Sequence, residues 1–130
     1  MNKFIVDTNM LLRFLLKDVP EQALKVRKRF QEAKNKKLEI VVPQIVIFEV
    51  VFALKSYYHF KKDKVIEGLK TVVATPYLSI EDEEIFTEAL KAYKKETIAL
   101  VDAFLIAKAK NDGTELFTFD KKLINLLKSI

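Results

Sequence analysis

The chain has 130 residues and a mass of 15.1 kDa, which is the size of one domain with a single hydrophobic core. Half of the residues are hydrophobic and 32% are charged, with two glycines and three prolines, so the composition excludes a disordered or collagen-like chain. The 23 basic and 18 acidic residues leave a net charge of +5, which favours anionic partners without identifying one.

Short apolar runs alternate with helical patterns along the chain. The predicted strands cover residues 4–6, Leu38–Val42, 77–80 and 116–119. Apolar residues that recur at three- and four-residue steps predict helices over 10–16, after Pro20, over 45–54, 65–73, 85–93 and 97–107, and after Asp120. This alternation predicts an α/β fold, a three-layer α/β/α domain with a mostly parallel central sheet. We expect one domain over residues 1–130.

The residue inventory excludes several classes of function. Without cysteine there is no disulfide framework, thiolate zinc site or cysteine nucleophile, and this composition points to the cytoplasm. One histidine cannot supply the two-histidine route of metal-free RNA cleavage, and two glycines cannot build the loops that bind dinucleotides or triphosphates. No uncharged run approaches the roughly 20 apolar residues of a membrane-spanning helix, so we expect no membrane partner.

Two aspartates stand where a predicted strand ends and a helix begins. Asp7 follows the first strand and Asp120 follows the last. Open parallel sheets bind their ligands at this carboxyl edge. An aspartate before a helix is also a good N-cap, because its side-chain oxygen accepts a free backbone N–H. Both interpretations are open for each residue, and Asp120 can serve in both ways.

Two further acids lie alone in apolar helical segments. Glu49 is the only polar residue of residues 45–54, and its neighbours one helical turn away are apolar, so no local ion pair exists. Asp102 is likewise the only charged residue of residues 97–107. Because a buried unpaired carboxylate is costly, we expect a cationic group to face Glu49. The alternatives are that Glu49 lies on one exposed line of its helix, and that Asp102 caps a helix beginning at Ala103.

A common centre explains these four acids together. Four carboxylates brought close to one another repel unless they share protons or bind divalent cations. Oxygen-only ligands favour Mg²⁺ or Mn²⁺ over zinc. Such ions activate water and stabilise the leaving oxygen in phosphodiester hydrolysis, which suits a chain with a single histidine.

Four sequence features in this order and spacing resemble the PIN-domain ribonucleases and, within them, the VapC-like toxins of prokaryotic toxin-antitoxin modules. They are the opening residues 4–9 with Arg13 after them, Pro43 followed by Glu49, Asp102-Ala103 in an apolar helix, and residues 116–120. The resemblance spans essentially the whole chain.

This resemblance implies a divalent-metal-dependent endoribonuclease. Asp7, Glu49, Asp102 and Asp120 would form the catalytic and metal-binding site, Thr118 and Asn9 would support it by hydrogen bonds, and Arg13 would contact the RNA or the antitoxin. A metal-activated water would attack the scissile phosphate in line and leave a 3′-hydroxyl and a 5′-phosphate. The family further implies Mg²⁺ or Mn²⁺ as cofactor, a cognate antitoxin as partner, and a homodimer.

Basic residues offer further contacts for RNA in this interpretation. They crowd one segment and follow the aromatic residues 57–60, so phosphate attraction and base stacking are both available: Lys25, Arg27, Lys28, Arg29, Lys34, Lys36, Lys37, Lys61, Lys62 and Lys64. The other interpretation is a solvated face of amphipathic helices. We interpret His59 as a surface residue without a catalytic role.

Two other classes of function compete with the nuclease. A non-catalytic PIN-like module that binds RNA or protein would be expected to have lost a carboxylate, and none of the four is missing. A phosphatase of the haloacid-dehalogenase type needs a second aspartate two residues after the first, where this chain has Asn9. A response-regulator receiver needs paired acids at the first strand and a lysine after the last, and neither is found.

Overall fold

A computed structural model describes residues 2–129 and contains parallel strands joined by helices. The strands are β1 (Asn2–Ile5), β2 (Leu38–Val42) and β3 (Leu78–Ile80). The helices are α1 (Thr8–Leu16), α2 (Pro20–Lys34), α3 (Gln44–Ser56), α4 (Lys62–Val73), α5 (Glu83–Lys95), α6 (Leu100–Asp112) and α7 (Lys121–Lys128). The predicted α/β class and the parallel sheet are confirmed.

The chain forms two compact units that meet in sequence between Glu81 and Asp82. The first unit contains the whole sheet, in the order β1-β2-β3, with both strand pairs parallel. Parallel strands need a crossover connection, and α1 with α2, and then α3 with α4, supply the two crossovers. The second unit contains α5, α6 and α7.

The sheet has one buried and one more open face. Leu38, Ile40 and Val42 of β2 are buried, whereas the intervening Glu39 and Val41 are only half-buried. Parallel register places Leu78 beside Ile40 and Ile80 beside Val42, so β3 continues the buried face. Fully burying an aliphatic side chain of this kind contributes about 1.5–3 kcal/mol. This apolar face anchors β2 and β3 in the first unit.

The more open face carries a polar contact across all three strands. Lys3 of β1 forms an ion pair with Glu39 of β2 at 3.5 Å, and the hydroxyl of Ser79 in β3 donates a hydrogen bond to the same carboxylate at 2.8 Å. The Ser79 hydrogen bond, followed by the charge of Lys3, lowers the pKa of Glu39 below its ordinary value of 4.5.

The second unit is built around the packing of α5 against α6. The buried apolar residues of α5 recur at helical spacing, as predicted: Ile85, Phe86, Ala89, Leu90 and Tyr93. Burial raises the pKa of the Tyr93 hydroxyl above 10.0. Helix α6 ends at Asp112 and is capped by Gly113, which adopts a left-handed conformation with φ +66°. Glycine is the usual residue at this position because it has no Cβ to strain.

The predicted fourth strand is wrong. Residues 114–120 form neither helix nor strand. Phe117 and Phe119 are 86% and 88% exposed, and their rings contact each other edge to face at 5.5 Å. Alternating aromatic residues favour a strand only where a neighbouring strand supplies hydrogen bonds, and no ladder to this segment forms among the described residues.

Candidate active site

Asp7 caps the first helix at the carboxyl end of β1. Its backbone is extended, with φ −93° and ψ 176°, and its Oδ1 accepts a hydrogen bond from the Met10 N–H at 2.9 Å. The N-cap interpretation of Asp7 is therefore correct. The residue is exposed, and none of its described contacts uses Oδ2. One carboxylate oxygen thus fixes the side chain while the other stays available.

Glu49 is exposed, so the expectation of a buried carboxylate facing a cation is wrong. Helix α3 has one exposed line, and Glu49 lies on it, as the alternative interpretation held. Its neighbours on this line, Ile45 and Phe52, are 66% and 63% exposed. The Thr8 hydroxyl donates a hydrogen bond to Glu49 Oε2 at 2.7 Å. Because Thr8 directly follows Asp7, this contact brings Glu49 to the start of α1, where Asp7 lies.

Thr8 and Glu81 are functional candidates that the sequence reasoning missed. Glu81 directly follows β3, and its Oε1 accepts the backbone N–H of Gln44 at 3.1 Å, which caps the start of α3. The Gln44 side-chain amide donates to the Glu81 carbonyl at 2.7 Å. An acid directly after a strand, the signal that identified Asp7, identifies Glu81 equally well. No local signal identifies Thr8.

Asp102 lies in the first turn of α6 in the second unit. The helix begins at Leu100 after the N-cap Ala99, so the alternative that Asp102 caps a helix beginning at Ala103 is wrong. The side chain is half-buried, and no hydrogen bond or ion pair to it is found among residues 2–129. A carboxylate in the first turn interacts favourably with the helix dipole. This placement keeps both carboxylate oxygens available.

Asp120 caps the last helix. Its Oδ1 accepts the N–H groups of Lys122 and Leu123 at 2.9 and 3.2 Å, and its own N–H donates to the Thr118 hydroxyl at 3.1 Å. The cap interpretation is correct here as well, and Oδ2 has no partner among the described contacts. Thr118 thereby fixes the backbone of Asp120, and its supporting role at a catalytic site stays a prediction.

Asn9 and Arg13 make contacts other than the predicted ones. The Asn9 amide donates to the side chain of Gln22 in α2 at 3.4 Å and not to an acid. Arg13 is 7% exposed, forms an ion pair with Asp18 at 3.0 Å and donates to the Tyr58 hydroxyl at 2.9 Å. These contacts give Arg13 a structural role, in which it fixes the end of α1 against residues 57–60.

The four predicted acids divide equally between the two units. Asp7 and Glu49 belong to the first, and Asp102 and Asp120 belong to the second. Within residues 2–129, no group of three or more acidic or histidine side chains is arranged to hold a metal ion. His59 is exposed, in keeping with its interpretation as a surface residue.

The family match covers nearly the whole chain. The family model described as PIN domain matches residues 4–127, which include both units. The chain is also 28% identical over 123 residues to a protein of Aquifex aeolicus (strain VF5) named "VapC ribonuclease", covering 94% of this chain and 90% of that protein. No solved structure matches the chain.

The chain belongs to the PIN-domain family, as its sequence motifs predicted. The predicted PIN-like α/β/α fold is therefore confirmed by the family match, together with the parallel sheet and its helical connections. No helix within residues 2–129 combines the length and the apolar character that crossing a bilayer requires.

Proposed function

We propose that this chain is a divalent-metal-dependent endoribonuclease that hydrolyses RNA phosphodiester bonds, and that it is the toxin of a toxin-antitoxin pair. The match to the PIN-domain family and the similarity to a protein named "VapC ribonuclease" support the class of activity. The contact between the Thr8 hydroxyl and Glu49 is the structural observation that carries the proposal, because it holds one predicted acid beside the helix start that another predicted acid caps.

Asp7, Glu49, Asp102 and Asp120 are the proposed catalytic and metal-binding residues. Their chemistry fits Mg²⁺ or Mn²⁺, since all four offer carboxylate oxygens and no nitrogen or sulfur ligand is involved. Asp7 and Asp120 each use Oδ1 as a helix cap and keep Oδ2 available. When bound, such an ion supplies Lewis acidity and lowers the pKa of water.

Neighbouring side chains hold the proposed ligands in place. Thr8 fixes one oxygen of Glu49, and the capped backbone N–H groups fix the rotamers of Asp7 and Asp120. Thr118 supports Asp120 through the backbone. We propose no contact between Asn9 and the four acids or their metal, because its amide contacts Gln22. Preorganised carboxylates need little rearrangement when the substrate binds.

The proposal extends to partners and assembly. A cognate antitoxin would bind the chain, two copies would form a homodimer, and residues 1–130 would act as one PIN-like domain. Exposed apolar side chains on α3, among them Ile45 and Phe52, offer surface for such partners. We place the activity in the cytoplasm, because the proposed RNA substrate is present there and the chain has no cysteine.

Cleavage of labelled single-stranded RNA tests the proposed activity. The antitoxin-free protein is incubated with Mn²⁺, with Mg²⁺ or with chelator, beside an Asp7→Asn variant purified identically. We expect cleavage with metal, none with chelator, and none by the variant. Cleavage that persists in chelator or in Asp7→Asn would indicate a contaminating ribonuclease or a different site. RNA binding without cleavage under all conditions would favour the non-catalytic module.

A further inference from the structure

A basic cleft lies between α1 and α2 of the first unit. It has a volume of about 460 Å³, and its lining includes Asn9, Met10, Gln22, Lys25, Lys28 and Arg29. We call it the α1–α2 cleft. Lys25, Lys28 and Arg29 are exposed and stand at i, i+3 and i+4 of one helix, so they share one side of α2. Met10 and the buried Val26 add apolar surface.

The charge of the cleft is positive. Within its described lining, Glu32 is the one carboxylate, and it forms an ion pair with Arg29 at 3.6 Å. Arg13 also lines the cleft, but its guanidinium is engaged by Asp18 and Tyr58. Lys25 and Lys28 have no carboxylate partner among the ion pairs of the described residues. These two ammonium groups are therefore available to an anionic ligand.

Groups suited to nucleotides accompany these cations. The amides of Asn9 and Gln22 contact each other at 3.4 Å, a long hydrogen bond that a ligand could readily replace. The guanidinium of Arg29 stacks over the ring of Phe4 at 5.0 Å, and that ring is 40% exposed. Amides contact base edges, and planar guanidinium and aromatic groups stack on bases.

The cleft begins beside the proposed acidic site. Asn9 is the second residue of α1, Asp7 caps that helix, and the intervening Thr8 contacts Glu49. The first turn of α1 therefore holds a residue of the cleft lining next to the cap Asp7 and next to Thr8, which contacts Glu49. The cations alone would bind an acidic protein segment as well as an RNA strand. The position of the cleft next to the proposed catalytic acids favours the RNA substrate.

We infer that the α1–α2 cleft binds the backbone of single-stranded RNA next to the bond that is cut. Lys25, Lys28 and Arg29 contact successive phosphates, and Asn9 and Gln22 contact a base or a ribose hydroxyl. The inference rests on the proposed nuclease function and narrows the basic segment of the sequence to the residues that line one cleft. Phosphate contacts of this kind position the strand without reading its sequence.

Two variants with equal changes in charge test the inference. The cleft variant is Lys25→Gln/Lys28→Gln/Arg29→Gln. The control variant, Lys91→Gln/Lys94→Gln/Lys95→Gln, removes three exposed cations at the same spacing on α5, where Lys91 also pairs with a carboxylate at i−3. Circular dichroism checks the fold, and Lys25→Gln/Lys28→Gln keeps the Arg29 stacking intact as a second test.

Binding is measured by fluorescence anisotropy with a labelled single-stranded RNA of mixed sequence, in chelator, over a range of salt concentrations. Each phosphate contact to a single strand contributes about 0.7 to the slope of log K against log salt, so we expect the cleft variant to lower that slope by about 2. We expect its affinity at low salt to fall about tenfold or more. The control variant should retain the slope of the unmodified protein, and in cleavage assays the cleft variant should raise KM more than it lowers kcat.

Equal losses in the two variants would overturn the inference, because they would show a general effect of net charge. It would also be overturned if the cleft variant kept its affinity for RNA but lost affinity for a polyglutamate peptide, since that result assigns the cleft to an acidic protein segment. A protein that binds RNA through the cleft but never cleaves it would instead refute the proposed nuclease function, so the two failures are distinguishable.

Discussion

Replacing Asp7 by asparagine and by alanine separates its two roles, because only the cap survives in asparagine. Asp7 Oδ1 accepts one backbone N–H at the start of α1. Asparagine keeps this acceptor and is about as good an N-cap as aspartate, whereas alanine has no acceptor and costs about 1 kcal/mol. We expect Asp7→Asn to retain the stability of the unmodified protein within a few tenths of a kcal/mol and to lose RNA cleavage.

The effect of Asp7→Ala should reach the core of the first unit. Helix α1 has only nine residues, and its Leu11 and Leu12 are buried in the core of that unit. A loss of about 1 kcal/mol corresponds to a fall of about 4 °C in Tm for a chain of this size. Asp120→Ala should behave differently, because Leu123 is the one buried residue of α7 within the described chain, so its loss should appear as local fraying.

Thermal unfolding followed by circular dichroism measures the Asp7 variants, and amide hydrogen exchange measures α7. An Asp7→Ala variant as stable as the unmodified protein would refute the cap. Equal destabilisation by Asp7→Asn and Asp7→Ala would show that the negative charge, and not the hydrogen bond, stabilises α1. Cleavage by Asp7→Asn at the unmodified rate would remove Asp7 from the proposed catalytic site.

Three further predictions concern single contacts. Thr8→Val should reduce RNA cleavage about tenfold or more, whereas Thr8→Ser should retain it, because a hydroxyl fixes Glu49. Equal single-turnover rates for the two variants would contradict this. The pKa of Glu39 should lie below 4.5 and should rise in Ser79→Ala, which removes the hydrogen bond to this carboxylate. Glu39 should therefore stabilise the fold above pH 4.5 and lose that contribution as the pH falls through its lowered pKa. An NMR titration that finds the same pKa for Glu39 in the unmodified protein and in Ser79→Ala would refute the contact. Gly113→Ala should lower the free energy of unfolding by about 1 kcal/mol from backbone strain alone, since nothing lies within 4 Å of an added Cβ. Chemical denaturation measures this free energy, and an unchanged value would contradict the left-handed conformation of Gly113.

The strands and helices that bury their own apolar residues were predictable from the sequence. Strand β2 and helix α5 match their patterns because burial follows local periodicity. The conformation of residues 116–119 was not predictable, because strand formation depends on a neighbouring strand that the local sequence does not specify. The expectation that Glu49 is buried was wrong for a related reason. Ile45 and Phe52 are apolar but exposed, so composition alone could not reveal the exposed line of α3.

The helix caps of the site were predictable, and its long-range contacts were not. Asp7 could be identified because a strand end followed by a helix start is a local feature. Asp120 could be identified because an aspartate directly before a helical pattern is a local N-cap signal, although no strand precedes it. The contact from Thr8 to Glu49 spans 41 residues, and the contact from Gln44 to Glu81 spans 37. Contacts of this range depend on strand order and on helix packing, which a single sequence does not define.

Isothermal titration calorimetry of Mn²⁺ binding, by the unmodified protein and by four single variants, tests whether the four acids form one metal site. The variants are Asp7→Asn, Glu49→Gln, Asp102→Asn and Asp120→Asn, with Asp63→Asn and Glu84→Gln as exposed controls, one in each unit. If all four acids bind the metal, each of the four variants should weaken Mn²⁺ binding and both controls should bind as the unmodified protein does. Unchanged binding in the two variants of either unit would contradict a site made of all four carboxylates.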